Sequence, residues 1–277
     1  MNDTLIRNIQ GKELRKMFRK QMNQNVVHLS YKRVKEILHS ELAHIDIYGD
    51  NSIPKHVEHV FPQSHFKDHP HRVRMKTDMH NLYLCNFKLN TLRNNYRYVD
   101  HDAYVENCHD QMLDQMGELV SVKDMFRKTG YMMLINNKKR IFVPVVYSRG
   151  MVARSLAYFA VKYDLLDELN ELIDINTLVE WNCAEPVNDV EYQKNIICYK
   201  HQNSHNPFIL YPHMLTYVFA DLIAKPVPAL PMVLPPPDPL PSIEMLVENV
   251  RCLEAENARL EKQVKRLQSE LEKYKKD

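Results

Sequence analysis

Residues 55–66 read KHVEHVFPQSHF, one acid and three histidines in a dozen positions around a single proline. Alternation along residues 57–61 puts Val57, His59 and Phe61 on one side of a strand and Glu58 and Val60 on the other. Pro62, which has no N–H to donate, ends the pairing. Three readings compete. The stretch is a strand that carries a metal-dependent active site, or an ordinary polar strand with His56, His65, His69 and His71 at the surface, or part of a zinc site. The zinc reading is the weakest, because no cysteine completes a ligand frame at the usual spacing.

The downstream residues sharpen the choice. About twenty residues on comes TDMHNLYLCN (77–86), then FKLNTLRNNYRY (87–98). If LCNFKLNTLRNN is a short helix, Asn86, Asn90 and Asn94 lie four apart on one face, with Arg93 beside them. So polar a face makes a poor core helix and suits one that faces a metal or a phosphate. A hard cation such as Mg²⁺ takes oxygen ligands and keeps several waters, so one carboxylate and one amide oxygen suffice. A neutral imidazole nearby can take a proton from an attacking water. Glu58, His59 and Asn90 are such a set of parts.

The rest of the chain bounds the alternatives. Its 277 residues are 44% hydrophobic and 26% charged, a soluble globular composition with a formal net charge of only +2. Any phosphate-binding surface is therefore a local patch. With 5 glycines there is no Gly-rich phosphate loop. The N-terminal stretch lacks the apolar run of a signal peptide. Cys85, Cys108, Cys183, Cys198 and Cys252 are odd in number and form no CxxC pair. They read as free thiols, and the expected location is intracellular. Residues 1–45 read as helical, with Ser30 as an N-cap, 151–172 as an amphipathic helix, and 190–202 as another helix.

At AKPVPALPMVLPPPDPLP (224–241), 8 of 18 residues are proline, which favours an extended spacer. Beyond it, Leu246, Leu253, Leu260 and Leu267 take successive d positions of a heptad pattern, and Val250, Asn257, Val264 and Leu271 take a. Leu at d with β-branched residues at a favours a parallel dimer, and one Asn at a fixes its register. Glu256 at g would face Glu261 at e of the other chain, so the expected dimer has modest stability, or pairs with a chain carrying Lys or Arg there.

The segments VEHVFPQSHF, TDMHNLYLCN and LNTLRNNYRY resemble the core of the bacterial endonuclease I family, which has a ββα-metal (His-Me finger) active site. FVPVVYSRGMVARSLAYFAVKY, LVEWNCAEPVNDVEYQKNIICYKHQNSHNPFI and LSYKRVKEILHSELAHID resemble its other segments in the same order, over about residues 25–210. The resemblance implies that Glu58 holds the metal and His59 activates water. Asn90 would be the second metal ligand, with Arg93 and Asn95 completing its motif. Asp78, His80 and Asn81 would orient the site. An arginine at the scissile phosphate would be Arg72 or Arg74, while Arg149 and Arg154 match family positions that helix packing or ion pairs explain equally well. The LYLCN variant is more similar to copies in large DNA viruses or protists than to secreted bacterial members.

The expected architecture is α+β: a nuclease domain over 1–215, a Pro-rich linker over 216–241 and a coiled coil over 242–277. The expected activity is Mg²⁺-dependent (or Mn²⁺- or Ca²⁺-dependent) hydrolysis of DNA, and of RNA as an alternative, through one ion and with a 5′-phosphate product. The rival is a catalytically decayed nucleic-acid-binding scaffold assembled through the coiled coil.

Overall fold

The computed structural model describes residues 10–48, 54–100 and 140–224, together with the backbone of three short strands between 111 and 136. The chain divides into two units, Met1–Met232 and Val233–Asp277, and every described residue falls in the first. The proline-rich stretch from 225 on, the heptads, Cys108 and Cys252 lie outside the described residues, as does the start of the N-terminal helical reading.

The order is α1 (Gly11–Met22), α2 (Tyr31–Glu41), β1 (Lys55–His59), α3 (Arg72–Met75), β2 (Leu82–Asn86), α4 (Phe87–Arg93) and β3 (Arg97–Tyr98). Then come β4 (Gln111–Leu113), β5 (Leu119–Ser121), β6 (Leu134–Asn136) and β7 (Ile141–Val143). The helices α5 (Arg149–Tyr163), α6 (Leu166–Leu172), α7 (Ile175–Ala184), α8 (Asp189–Gln202), α9 (Pro207–Leu210) and α10 (Met214–Val218) complete the order. The fold is α+β, as the sequence implies, with small sheets in a helical frame. β1 pairs antiparallel with β2, β4 with β5, and β7 lies between β3 and β6.

Helix α5 is the centre of the frame, packed by α1, α6, α7 and α9. Residues 150–163 are all buried, so the helix is enclosed all round and not amphipathic as its pattern suggests. Its two interior cations are paired: Arg154 with Glu191 on α8, and Lys162 with Asp78. Gly150 is needed for packing, because a Cβ there would lie 2.5 Å from the Glu185 carbonyl oxygen.

α2 begins as its sequence predicts. Ser30 Oγ accepts a hydrogen bond from the Arg33 amide, satisfying one orphan donor of the first turn. Val34, Ile37 and Leu38, at helical spacing, are buried. At the other end of the described chain, Leu215, Val218 and Phe219 join the core that holds Leu14. Arg15 grips Asp221 with two bonds of 2.6 and 2.8 Å and donates to the Val218 carbonyl. Among the described residues no helix is long and apolar enough to cross a membrane.

Candidate active site

The opening stretch forms β1, but the strand stops at His59, three residues before Pro62. There the chain leaves the ladder, and the side chain of Asn81 takes over the pairing. Its Oδ1 accepts from the Phe61 amide at 2.7 Å, and its Nδ2 donates to the Phe61 carbonyl at 3.0 Å. One amide thereby imitates a strand neighbour, so Val60 and Phe61 are both buried and the expected alternation is lost. The register sets Glu58 opposite Tyr83 and His59 opposite Leu82. Helix α4 comes directly after β2 and packs on both strands.

α4 is shorter than the asparagine pattern suggests, which corrects the one-face reading. Asn86 is its N-cap, with Oδ1 accepting from the Lys88 and Leu89 amides, and Asn94 lies past its end at φ 53°. Asparagine suits the N-cap because its side-chain oxygen accepts from the amides of the first turn. Asn90 alone of the three lies within the helix. Its Nδ2 donates to the Val57 carbonyl at 3.1 Å, which leaves Oδ1 with no partner among the described residues.

A cleft of about 530 Å³ opens over this hairpin and helix, with Glu58, His59, Gln63, Asn90, Arg93 and Asn95 in its lining. Glu58 is 3% exposed. Tyr48 donates to its Oε1 at 2.9 Å, and the Arg93 guanidinium stands 3.4 Å from the same oxygen. Burial pushes the Glu58 pKa up, and Arg93 and Tyr48 offset part of that rise. Arg93 is itself fully buried, donating to the Val60 and Asn94 carbonyls and lying over the Tyr98 ring. It is the counter-charge and clamp for the strand: both terminal nitrogens are engaged inside the protein, and Nε is buried without a hydrogen-bond partner among the described residues.

His59 has both ring nitrogens assigned by their partners. Nε2 lies 3.1 Å from the Lys76 carbonyl, which can only accept, so Nε2 carries the proton. Nδ1 is then the lone-pair nitrogen, and the Gln63 amide donates to it at 3.3 Å. Burial lowers the His59 pKa to about 4, so the ring is neutral at physiological pH.

The chemistry of the oxygen donors fits a hard divalent cation. Tyr48 and Arg93 both meet the Glu58 carboxylate at Oε1, and the Asn90 amide keeps its oxygen open. Among the described residues no group of three or more His, Cys, Asp or Glu could hold a metal. Glu58 and Asn90 are two donors, which leaves most of a cation's coordination to water.

The remaining residues of the sequence-derived set separate into two groups. Asp78 and His80 are buried behind the hairpin. Asp78 Oδ2 accepts from Lys162 (2.7 Å), Tyr163 (2.9 Å) and Tyr158 (3.3 Å), and Oδ1 accepts from the His80 amide. His80 Nε2 donates to the Ser204 carbonyl at 2.8 Å. This network joins the turn before β2 to α5 and the end of α8. Asn95 bridges Ser64 and Arg140 at the cleft rim. Arg72 and Arg74, by contrast, are exposed on α3 and do not line the cleft, and Arg72 donates to the Lys67 carbonyl. Arg149 stands 3.4 Å from Asp100, and Arg154 is buried against Glu191.

His80 makes acid lability testable. Burial lowers its pKa from 6.5 to about 3. The unfolded chain therefore gains a proton near pH 6.5 that the folded chain refuses. The stability contribution is full above that pH and falls on acidification by about 1.4 kcal/mol per unit until the folded value is reached. Chemical denaturation between pH 7 and 4.5 is expected to show this slope, reduced in His80→Gln. Identical slopes in both proteins contradict it.

Tyr48, Gln63 and the Lys76 carbonyl are contacts of the candidate site that the sequence does not announce. Gln63 could be suspected from its place four residues after His59. Tyr48 comes from a separate segment, and a carbonyl has no sequence signal at all.

The hairpin and helix present a buried carboxylate, a neutral imidazole and an open amide oxygen along one cleft. The family model described as Endonuclease I matches residues 21–213. The chain belongs to the endonuclease I family. It is also 39% identical over 79 residues to "Extracellular ribonuclease" of Bacillus subtilis (strain 168), an alignment covering 23% of this chain and 27% of that protein. The chain thus spans about a quarter of the length of that curated relative.

Proposed function

We propose that the protein is a divalent-metal-dependent endonuclease that hydrolyses phosphodiester bonds of DNA with low sequence specificity. RNA is the alternative substrate, the one favoured by the name of the Bacillus relative. The observation that supports this best is the state of His59: neutral, its Nε2 proton tied to the Lys76 carbonyl and its Nδ1 lone pair in the cleft beside Glu58 and Asn90. His59 Nδ1 takes a proton from the attacking water after the Gln63 amide yields its place. Positioned general-base help of this kind contributes roughly 10² to 10⁴-fold. Glu58 and Asn90 would hold Mg²⁺, or Mn²⁺ or Ca²⁺. The bound ion supplies charge stabilisation on the phosphoryl oxygen and the leaving group. Arg93 holds Glu58 in place from beneath and does not reach for substrate; Arg72 or Arg74 would approach the strand only from outside the cleft.

Glu58→Ala and Asn90→Ala should each raise the Mg²⁺ concentration needed for cleavage, with the larger rise for loss of the anionic ligand. Isothermal titration with Mg²⁺ on folded variants checks this. Unchanged metal binding in both would place the ion elsewhere.

Residues 243–274 are proposed to pair in a parallel dimer, which would present two active sites to one duplex and raise the effective concentration of the second. Light scattering on the full chain and on one ending at residue 223 separates a dimer from a monomer. A full chain that stays monomeric at micromolar concentration, with no partner captured, ends that proposal.

A further inference from the structure

Beside His59 lies a group of side chains that the proposed hydrolytic chemistry does not use. Tyr31, the first residue of α2, stacks beside the His59 ring with centroids 6.2 Å apart and planes at 27°. It is half-buried, and burial raises its pKa, so it is a neutral phenol. Two ammonium groups rest against its ring: Lys76 Nζ at 4.7 Å from the centroid and Lys35 Nζ at 5.4 Å. Both distances lie within the roughly 6 Å over which a ring quadrupole attracts a cation.

The two lysines come from different elements, α2 and the loop after α3, and Tyr31 gathers them at one place. Both are exposed, and neither pairs with a carboxylate among the described residues. Glu36, the acid next to Lys35 in sequence, is engaged by Arg33. Both ammonium groups thus stand around one ring, where a single anion can meet them. Lys76 also ties the group to the chemistry, since its carbonyl fixes His59 while its ammonium sits on Tyr31.

We propose that Lys35 and Lys76, held by the Tyr31 ring, form a phosphate subsite for the substrate strand, taking the phosphate next to the one under attack. This rests on the nuclease reading of the His59 cleft and adds where the strand runs: past His59 and over the start of α2. Tyr31 is a positioning residue for the two ammonium groups.

The test uses the full chain and a fluorescein-labelled duplex of about twenty base pairs, with binding followed by anisotropy in EDTA over a salt series. Replacing both lysines (Lys35→Ala with Lys76→Ala) is expected to weaken binding several-fold and to reduce the slope of log affinity against log salt by about 1, one counterion for the one lost phosphate contact. Tyr31→Phe keeps the ring and should bind as the wild type does, whereas Tyr31→Leu should move toward the double variant. Hydrolysis of bis(4-nitrophenyl) phosphate, too small to reach the subsite, should be unchanged in the single variant Lys35→Ala. An unaltered salt slope in the folded double variant overturns the subsite, and so does a wild-type chain that binds no duplex. If Tyr31→Leu slows the small diester and DNA by the same factor, the ring acts through His59 and the subsite is again overturned. A wild-type chain that binds the duplex with the expected slope but hydrolyses nothing supports the subsite and sinks the nuclease mechanism instead.

Discussion

Purified His59→Ala is expected to lose cleavage by at least about 10²-fold while keeping its fold and its affinity for nucleic acid. Of the two buried imidazoles near the hairpin, His59 lines the cleft, with its Nδ1 lone pair held by the Gln63 amide, whereas His80 spends Nε2 on the Ser204 carbonyl behind it. The side chain contributes two hydrogen bonds at the end of β1, and their loss leaves the Asn81 clamp on Phe61 untouched. A plasmid-nicking time course with circular dichroism on the same sample checks both halves. Near wild-type cleavage by the folded variant would remove His59 from the mechanism.

The second large effect is on stability. Asp78→Asn is expected to cost about 3–5 kcal/mol, because it leaves the Lys162 ammonium buried without its counter-ion. Burial alone would raise the Asp78 pKa, but Lys162, the neighbouring His80 and the tyrosine hydroxyls outweigh it and hold the carboxyl below its usual range. A depressed carboxyl contributes stability that is complete above its unfolded value near pH 4 and is lost as pH falls through the folded value. The wild type should therefore become less stable below pH 4 by a component that Asp78→Asn lacks. Urea denaturation at pH 7 and pH 3 measures both. A variant within about 1 kcal/mol of the wild type at pH 7 would mean that Asp78 does not anchor the hairpin to α5.

The legible part of this architecture was local. VEHVFP announced a strand with an acid and a histidine at its end, and the asparagines after LYLC announced a polar helix. Ser30 and the spacing of Val34, Ile37 and Leu38 marked α2. What escaped depends on contacts between distant segments. The phenol that holds Glu58 comes from residue 48, and the carbonyl that sets the tautomer of His59 comes from residue 76. No pattern in KHVEHVFPQSHF specifies either. Periodicity also misjudged α5, where Arg154 and Lys162 look like a solvated face until Glu191 and Asp78 are found beside them. Asn81 stood out only through the family resemblance. Its physical task, closing the ladder where β1 ends, becomes visible only when Phe61 is placed between its oxygen and its nitrogen.

The most direct test of metal-dependent cleavage is supercoiled plasmid incubated with the purified full chain in Mg²⁺, in EDTA, and in EDTA followed by excess Mg²⁺. Nicking is expected in the first, none in the second and its return in the third. Undiminished nicking in EDTA, or none with any of Mg²⁺, Mn²⁺ or Ca²⁺, would contradict a metal-dependent endonuclease.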